Sequence, residues 1–133
     1  MKTLKLIALS ILFSLTFFSC DNDDDSSNLE PTTQELLAHK WFIVIEGATP
    51  CTATSYFDFN TDGTFATDTF YEHSVSGDCT SGGYLEGTYS LLDDNVTLII
   101  NLSTSETFII ELISTTDLVI SPPDEDGELV FTR

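Results

Sequence analysis

Three cysteines are the residues with the most distinctive chemistry in this 133-residue chain. Cys20 directly follows an apolar run, whereas Cys51 and Cys79 lie in turn-rich stretches that read Thr-Pro-Cys and Gly-Asp-Cys. A thiol can carry a covalent lipid, form a disulfide or bind a metal, and the surrounding sequence indicates which use applies.

The residues before Cys20 predict an exported precursor. Lys2 and Lys5 precede residues 6–18, which form an uncharged, largely apolar run. This run is shorter than the roughly 20 apolar residues that a bilayer span needs. A basic start, a short apolar centre and the small Ser19 together predict a secretory signal peptide over residues 1–19.

The segment Phe17-Phe18-Ser19-Cys20 resembles a lipobox, in which the cysteine receives a diacylglyceryl group before cleavage. The resemblance implies a mature chain that begins at Cys20 and carries lipid there. Residues 20–33 then form an acidic tether, since residues 21–28 contain four aspartates and no apolar side chain. The run also resembles the acidic export signal of surface lipoproteins of Bacteroidota, which implies an outer-membrane anchor exposed at the cell surface. A spacer on the periplasmic face is the alternative.

Export to an oxidising compartment makes an odd thiol a liability. Lipidation of Cys20 leaves Cys51 and Cys79 as one pair, and we predict a disulfide between them. This bond would close a loop of about 29 residues and stabilise the fold by about 3–4 kcal/mol in the loop-entropy model. Zinc binding is the competing use, but neither a Cys-x-x-Cys motif nor a nearby histidine pair accompanies them.

The charge balance restricts the partners of this chain. Its 22 carboxylates face four basic residues, and removal of residues 1–19 leaves Lys40 and Arg133 as the basic pair, for a formal charge of −20. Nucleic acid and anionic membrane surfaces are therefore excluded as electrostatic partners. The acidic runs 21–25 and 124–128 concentrate oxygen ligands, but neither has the spacing of an EF-hand loop. We predict no metal site.

The sequence carries no recognisable catalytic motif. The two histidines, His39 and His73, have no pattern of Ser, Cys or paired carboxylates around them, and neither a glycine-rich phosphate loop nor His-Glu-x-x-His occurs. We therefore expect no enzyme activity and no cofactor.

Residues 34–133 are predicted to form one all-β domain preceded by a short helix over residues 31–38, where a threonine cap and an early glutamate precede apolar residues. About eight alternating apolar segments follow, joined mostly by short turns. Short turns favour an antiparallel meander, and closure of eight strands into an up-and-down barrel removes exposed edges. A β-sandwich is the alternative.

Several motifs in order resemble the lipocalin-like lipoproteins of Bacteroidota: Leu37-Ala38-His39-Lys40-Trp41, residues 57–65, the Cys51/Cys79 pair and Gly87-Thr88-Tyr89-Ser90. The resemblance implies a small eight-stranded barrel. It also implies non-catalytic binding of a small hydrophobic or amphipathic ligand by a monomer. Strand alternation then gives the candidate interior residues: Trp41, Phe57, Phe59, Phe65, Tyr71 and Tyr89. A solid core without a cavity is the alternative interpretation of the same residues. The rival function is an interaction module that presents residues 74–82 and 122–128 to a protein or glycan.

Overall fold

The computed structural model describes residues 29–133. The predicted signal peptide, Cys20 and most of the acidic tether lie outside the described residues. Among residues 29–133, no helix has the length and apolar character needed to cross a membrane.

The first element is the helix α1, Thr33–Leu37. Thr32 precedes it as the N-cap: its side-chain oxygen accepts a hydrogen bond from the Glu35 backbone N–H, and the Glu35 carboxylate accepts one from the Thr32 N–H. This capping box satisfies donors that the first turn would otherwise leave unpaired. The hydrogen bonds from Thr32 also lower the pKa of Glu35.

Ten strands follow, and eight of them close into an antiparallel barrel. The strands are β1 Lys40–Ile43, β2 Tyr56–Phe59, β3 Thr64–Asp68, β4 Phe70–Glu72, β5 Cys79–Ser81, β6 Leu85–Leu91, β7 Thr97–Asn101, β8 Ser105–Ile113, β9 Asp117–Ser121 and β10 Leu129–Thr132. The barrel order is β1-β10-β9-β8-β7-β6-β3-β2, while β4 and β5 form a separate two-stranded sheet. The predicted eight-stranded barrel is confirmed, and the sandwich alternative was wrong because the first and last strands pair with each other.

The strand directions define two ends of the barrel. The helix end is where α1 enters β1, and it also holds the turns after β2, β6 and β8 and the C-terminal Arg133. The loop end holds the β1–β2 connection, the β4–β5 hairpin, and the turns after β7 and β9.

One predicted strand and one predicted loop differ from the structure. The sequence of residues 64–73 alone favours a single strand, but the segment divides at Thr69 into β3 and β4. The polar loop 74–82 was expected to be irregular, but its end forms β5. The chain bends at Gly82 and Gly83: a Cβ on Gly82 would lie 2.7 Å from the Thr69 side-chain oxygen, and Gly83 has φ +142°. Because β5 is polar on both faces, hydrophobic alternation does not reveal it.

Twelve buried residues form the core, and they come from α1 and from every barrel strand. They are Leu37, Trp41, Phe59, Phe65, Tyr89, Leu98, Ile100, Phe108, Ile110, Leu118, Ile120 and Phe131. Cross-strand partners share a face of the sheet, so register places most of them in continuous inward-facing rows, such as Leu98↔Phe108 and Ile110↔Ile120.

Gly87 is required where β6 approaches β7. A Cβ at this position would lie 2.0 Å from the Asn101 carbonyl oxygen, which is backbone and cannot swing away. We expect Gly87→Ala to force the two strands apart and to lower the free energy of unfolding by about 3 kcal/mol, the upper end of overpacking costs. Urea unfolding of the purified protein measures this.

Gly47→Ala is the matched control. A Cβ on Gly47 meets nothing within 4 Å, so its cost reflects only alanine at φ +74°, about 1 kcal/mol. Equal losses in the two variants would contradict a steric role for Gly87.

Candidate functional site

The helix end of the barrel is sealed by α1 and the first strand. Leu37 and Trp41 are fully buried, and the Trp41 Nε1–H donates a 2.9 Å hydrogen bond to the Leu37 carbonyl oxygen. The guanidinium of Arg133 lies over the Trp41 ring, 5.0 Å from its centre, in a cation–π arrangement. The Trp41 ring on β1 therefore contacts both Leu37 of α1 and Arg133, which follows β10.

Tyr89 fixes the same end from inside the barrel. Its hydroxyl accepts a 2.6 Å hydrogen bond from the Gln34 Nε2 of α1 and donates a 2.8 Å hydrogen bond to the Asn60 carbonyl oxygen. Burial raises the pKa of Tyr89, and the hydrogen bond from Gln34 partly opposes that rise. The phenol therefore remains a neutral donor and acceptor that connects α1 to the β2–β3 turn.

Aromatic rings fill much of the interior above this seal. Phe57 lies 5.2 Å from Phe65 and 4.9 Å from Phe131, and Phe59 lies 5.0 Å from both Phe65 and Tyr89, measured between ring centres. Such tilted and edge-to-face pairs pack densely. An eight-stranded barrel has room either for side chains or for one small ligand, and these rings occupy that room.

Six partly buried apolar side chains pack against the core; Leu91 and Ile113 lie at the helix end, and the other four lie at or towards the loop end. Inward-facing side chains here are partly buried rather than buried: Ile43, Phe57, Leu102 and Leu129. Leu85 pairs with the inward-facing Thr67 and is 52% exposed. These five residues, which we call the apolar mouth, present apolar surface that a molecule can reach from the loop end.

The structure brings together five of the six predicted interior residues and separates the sixth. Trp41, Phe59, Phe65 and Tyr89 are buried in the core, and Phe57 is half-buried at the mouth. Placing Tyr71 in the barrel was wrong, because it lies on β4 outside the barrel and is 48% exposed. The error follows from counting alternation through Thr69, where the strand breaks.

Several mouth residues were absent from the predicted site. Leu129 of the mouth and Phe131 of the core alternate inward on the last strand, and this pattern could have identified both. Leu102 follows the end of β7 and continues the alternation of Leu98 and Ile100, so the same pattern could have identified it.

Cys51 and Cys79 are bonded, with an S–S distance of 2.00 Å and Cα atoms 5.2 Å apart. The predicted disulfide is confirmed, and the zinc alternative for this pair was wrong. The bond joins the β1–β2 connection to β5, so it lies at the loop end. Within residues 29–133, no group of three or more His, Cys, Asp or Glu side chains is placed to hold a metal ion.

The charges are distributed unevenly between the ends. Lys40 begins β1, with its Nζ 3.5 Å from the Asp58 carboxylate, and Arg133 follows β10, so the two Lys and Arg side chains among residues 29–133 belong to the helix end. At the loop end, a surface depression of about 360 Å³ is lined by Glu106, Phe108 and Glu125, together with Thr107 and Pro122. A second depression of about 270 Å³ lies beside the β2–β3 turn, against Asn60, Thr64, Phe65, Glu86 and Gly87.

A closed eight-stranded antiparallel barrel with an apolar interior and a helix sealing one end is the architecture of a lipocalin-like protein. The family model described as a lipocalin-like domain matches residues 14–120, and this chain belongs to that family. At the family level, this fold is one that binds small ligands and is typically non-catalytic.

The fold is also that of a lipocalin-like protein from Bacteroides uniformis ATCC 8492, with a TM-score of 0.51 and 19% sequence identity. The superposition covers 74% of this chain and 98% of that one. No curated protein matches the sequence significantly.

The Tyr89 hydroxyl gives a direct test of the seal. We expect Tyr89→Phe to lower the free energy of unfolding by about 1–2 kcal/mol, because both hydrogen bonds are lost while the ring remains. Tyr71→Phe is the matched control and should change stability by less than about 0.5 kcal/mol, since its hydroxyl is exposed. Equal effects of the two variants in urea unfolding would show that the hydroxyl bridge does not secure α1.

Proposed function

We propose that this chain is an outer-membrane lipoprotein whose lipocalin-like barrel binds a small hydrophobic or amphipathic ligand at the apolar mouth, without catalysis. The observation that carries the proposal is the asymmetry of the barrel. The helix end is covered by α1, with Leu37 and Trp41 fully buried, whereas the loop end has no such helix and carries four of the six partly buried apolar side chains that pack against the core.

The filled interior limits how deeply such a ligand enters. Phe57 contacts Phe65 and Phe131 directly, so a ligand meets aromatic rings just inside the mouth. Binding sites of this kind are apolar with a few polar groups that fix orientation. A ligand with an apolar tail and a polar head, the tail against Phe57 and the head in solvent, fits this geometry best.

Charge favours a neutral or cationic head group. Both basic residues of the described chain lie at the helix end, while Glu106 and Glu125 line the depression beside the loop end. With 22 carboxylates in the whole chain, the field around the domain repels anions. Carboxylate and sulfate head groups are therefore disfavoured.

A titration with matched amphiphiles tests the proposal. Dodecyltrimethylammonium, dodecyl maltoside and dodecyl sulfate, each below its micelle concentration, are added to the protein with the neutral apolar dye N-phenyl-1-naphthylamine as reporter. We expect the first two to displace the dye at concentrations at least about tenfold lower than dodecyl sulfate, and the difference to shrink at high salt.

Variants locate the binding at the mouth. Leu85→Asp places a charge among the mouth residues and should weaken dye binding about tenfold or more. Leu92→Asp is the matched control, because Leu92 is 45% exposed but lies in the turn after β6 at the helix end. Equal weakening by both variants, or no dye binding by the unmodified protein, would contradict ligand binding at the mouth.

The proposed anchor at Cys20 is compatible with this geometry. Twelve residues lie between Cys20 and Thr33, the first residue of α1, and the thirteen Cα-to-Cα steps of an extended chain span at most about 45 Å. Because α1 belongs to the helix end, the tether joins the domain opposite the mouth. Lipid attachment and ligand entry therefore do not compete for the same end.

Metabolic labelling tests the anchor. An alkyne fatty acid supplied to cells should label the protein, and Cys20→Ala should abolish both the label and membrane association. Protease treatment of intact cells then distinguishes display at the surface from attachment at the periplasmic face. An unlabelled protein that fractionates like its Cys20→Ala variant would refute lipidation.

An interaction module is the second candidate, and exposed side chains around the β4–β5 hairpin favour it. Tyr71 is 48%, Val75 is 88% and Tyr84 is 52% exposed, and tyrosine is enriched in protein interfaces. Tyr84 donates a 2.6 Å hydrogen bond to Glu86, which raises the pKa of Tyr84 to about 12. A protein or glycan partner would then contact this hairpin, and absence of dye binding in the titration above would favour this alternative.

A further inference from the structure

The disulfide connects two segments that lie outside the barrel core. Cys51 belongs to the β1–β2 connection and Cys79 begins β5, and neither belongs to the core cluster. The barrel closes through its own pairings, from β1–β2 round to β10–β1, without either cysteine. The bond therefore constrains the loop end rather than the barrel wall.

The β4–β5 hairpin is a small sheet of its own. Its strands pair with each other through Phe70↔Ser81, Tyr71↔Thr80 and Glu72↔Cys79, and with no barrel strand among the described residues. Because a two-stranded hairpin alone is marginally stable in water, attachments elsewhere must hold it in place.

Two polar contacts assist the disulfide in holding the hairpin. The Phe70 backbone N–H donates a 2.8 Å hydrogen bond to the buried Ser55 hydroxyl. The Ser81 hydroxyl lies 2.7 and 2.9 Å from the two carboxylate oxygens of Asp68, which is 7% exposed at the end of β3. We call residues 44–55 and 70–81, joined by the disulfide and these contacts, the linked rim.

The linked rim borders the apolar mouth. Ser55 lies two residues before Phe57 on β2, and the hairpin leads through Gly82 and Gly83 into Leu85. The rim is therefore adjacent along the chain to Phe57 and Leu85 of the mouth.

We propose that the linked rim is a conformational strap that opens and closes independently of the barrel, and that the Cys51–Cys79 bond sets how often it opens and so how fast ligand enters and leaves. The separate opening of the rim is argued from contacts in the structure alone. The effect on ligand entry and release rests in addition on the proposed ligand-binding function. We expect the barrel to fold without the bond, because the core cluster contains no rim residue and every pair of neighbouring barrel strands has its own ladder, to which Val44 and Ser55 of the rim add one backbone hydrogen bond each.

Hydrogen exchange of the full chain tests the strap. In the Cys51→Ser/Cys79→Ser double variant, we expect amides of residues 70–81 to exchange at least about tenfold faster, through local opening. Amides of β7 and β8 exchange through global unfolding, which also becomes more frequent since the cross-link no longer restricts the unfolded chain. The expected result is a hairpin whose protection falls clearly below that of β7 and β8.

Two outcomes would overturn the strap. Hairpin and core amides that lose protection in parallel would show a single cooperative unit, and a double variant without the barrel's circular-dichroism spectrum would show that the barrel needs the bond. Ser81→Ala, with the disulfide intact, provides a second test, in which hairpin exchange should accelerate by a smaller factor than in the double variant. No acceleration at all would count against the Asp68 contact as part of the strap.

Stopped-flow mixing with N-phenyl-1-naphthylamine tests the gate. The double variant should bind and release the dye at least about threefold faster, with a smaller change in affinity, because opening affects both directions alike. Unchanged rates would overturn gating. If neither protein binds the dye, the ligand proposal fails and gating fails with it, while the exchange data still decide whether the rim opens separately.

Discussion

The pairing of the first strand with the last is the constraint on which the rest of the structure depends. Phe42↔Thr132 and Ile43↔Phe131 join β1 to β10, so each barrel strand has two hydrogen-bonded neighbours. Without this contact, β1 and β10 would be edge strands with unpaired backbone groups. The same pairing places Arg133 over the Trp41 ring and Phe131 against Phe57. The strand pairing that closes the barrel therefore also completes the packing of the core.

Closure also explains why the interior is aromatic. A barrel of eight strands leaves a space too narrow for a large cavity but too wide for small side chains to fill. Phe59, Phe65 and Tyr89 fill this space from β2, β3 and β6. Gly87 has no side chain, so β6 can approach the Asn101 carbonyl closely. Rings that fill the barrel stabilise a domain of this size, and they leave the mouth as the apolar surface available to a ligand.

The barrel could be predicted from the sequence because its strands follow simple rules, whereas the hairpin could not. Asp62-Gly63 between Phe59 and Phe65 marks a tight turn, and alternation assigned four of the twelve core residues, Trp41, Phe59, Phe65 and Tyr89, to the inward face. Alternation fails where a strand is polar on both faces, as in β5, and where a bend interrupts the count, as at Thr69. Tyr71 was misplaced for this reason. Cysteine parity nevertheless identified the bond between Cys51 and Cys79 without any knowledge of the strands that carry them.

The two ends of the barrel use different physical means to hold the chain. At the helix end, Leu37 is buried in the core and Tyr89 connects α1 to the β2–β3 turn. We therefore expect α1 to unfold only together with the barrel. At the loop end, the β4–β5 hairpin contributes nothing to the core cluster and is held by a covalent bond and a few polar contacts. Local stability follows buried apolar contact, so the loop end is the part that can move while the barrel stays folded. This arrangement suits the proposed lipoprotein: the helix end would carry the tether, and the opposite end would move within limits set by a disulfide that an oxidising compartment preserves.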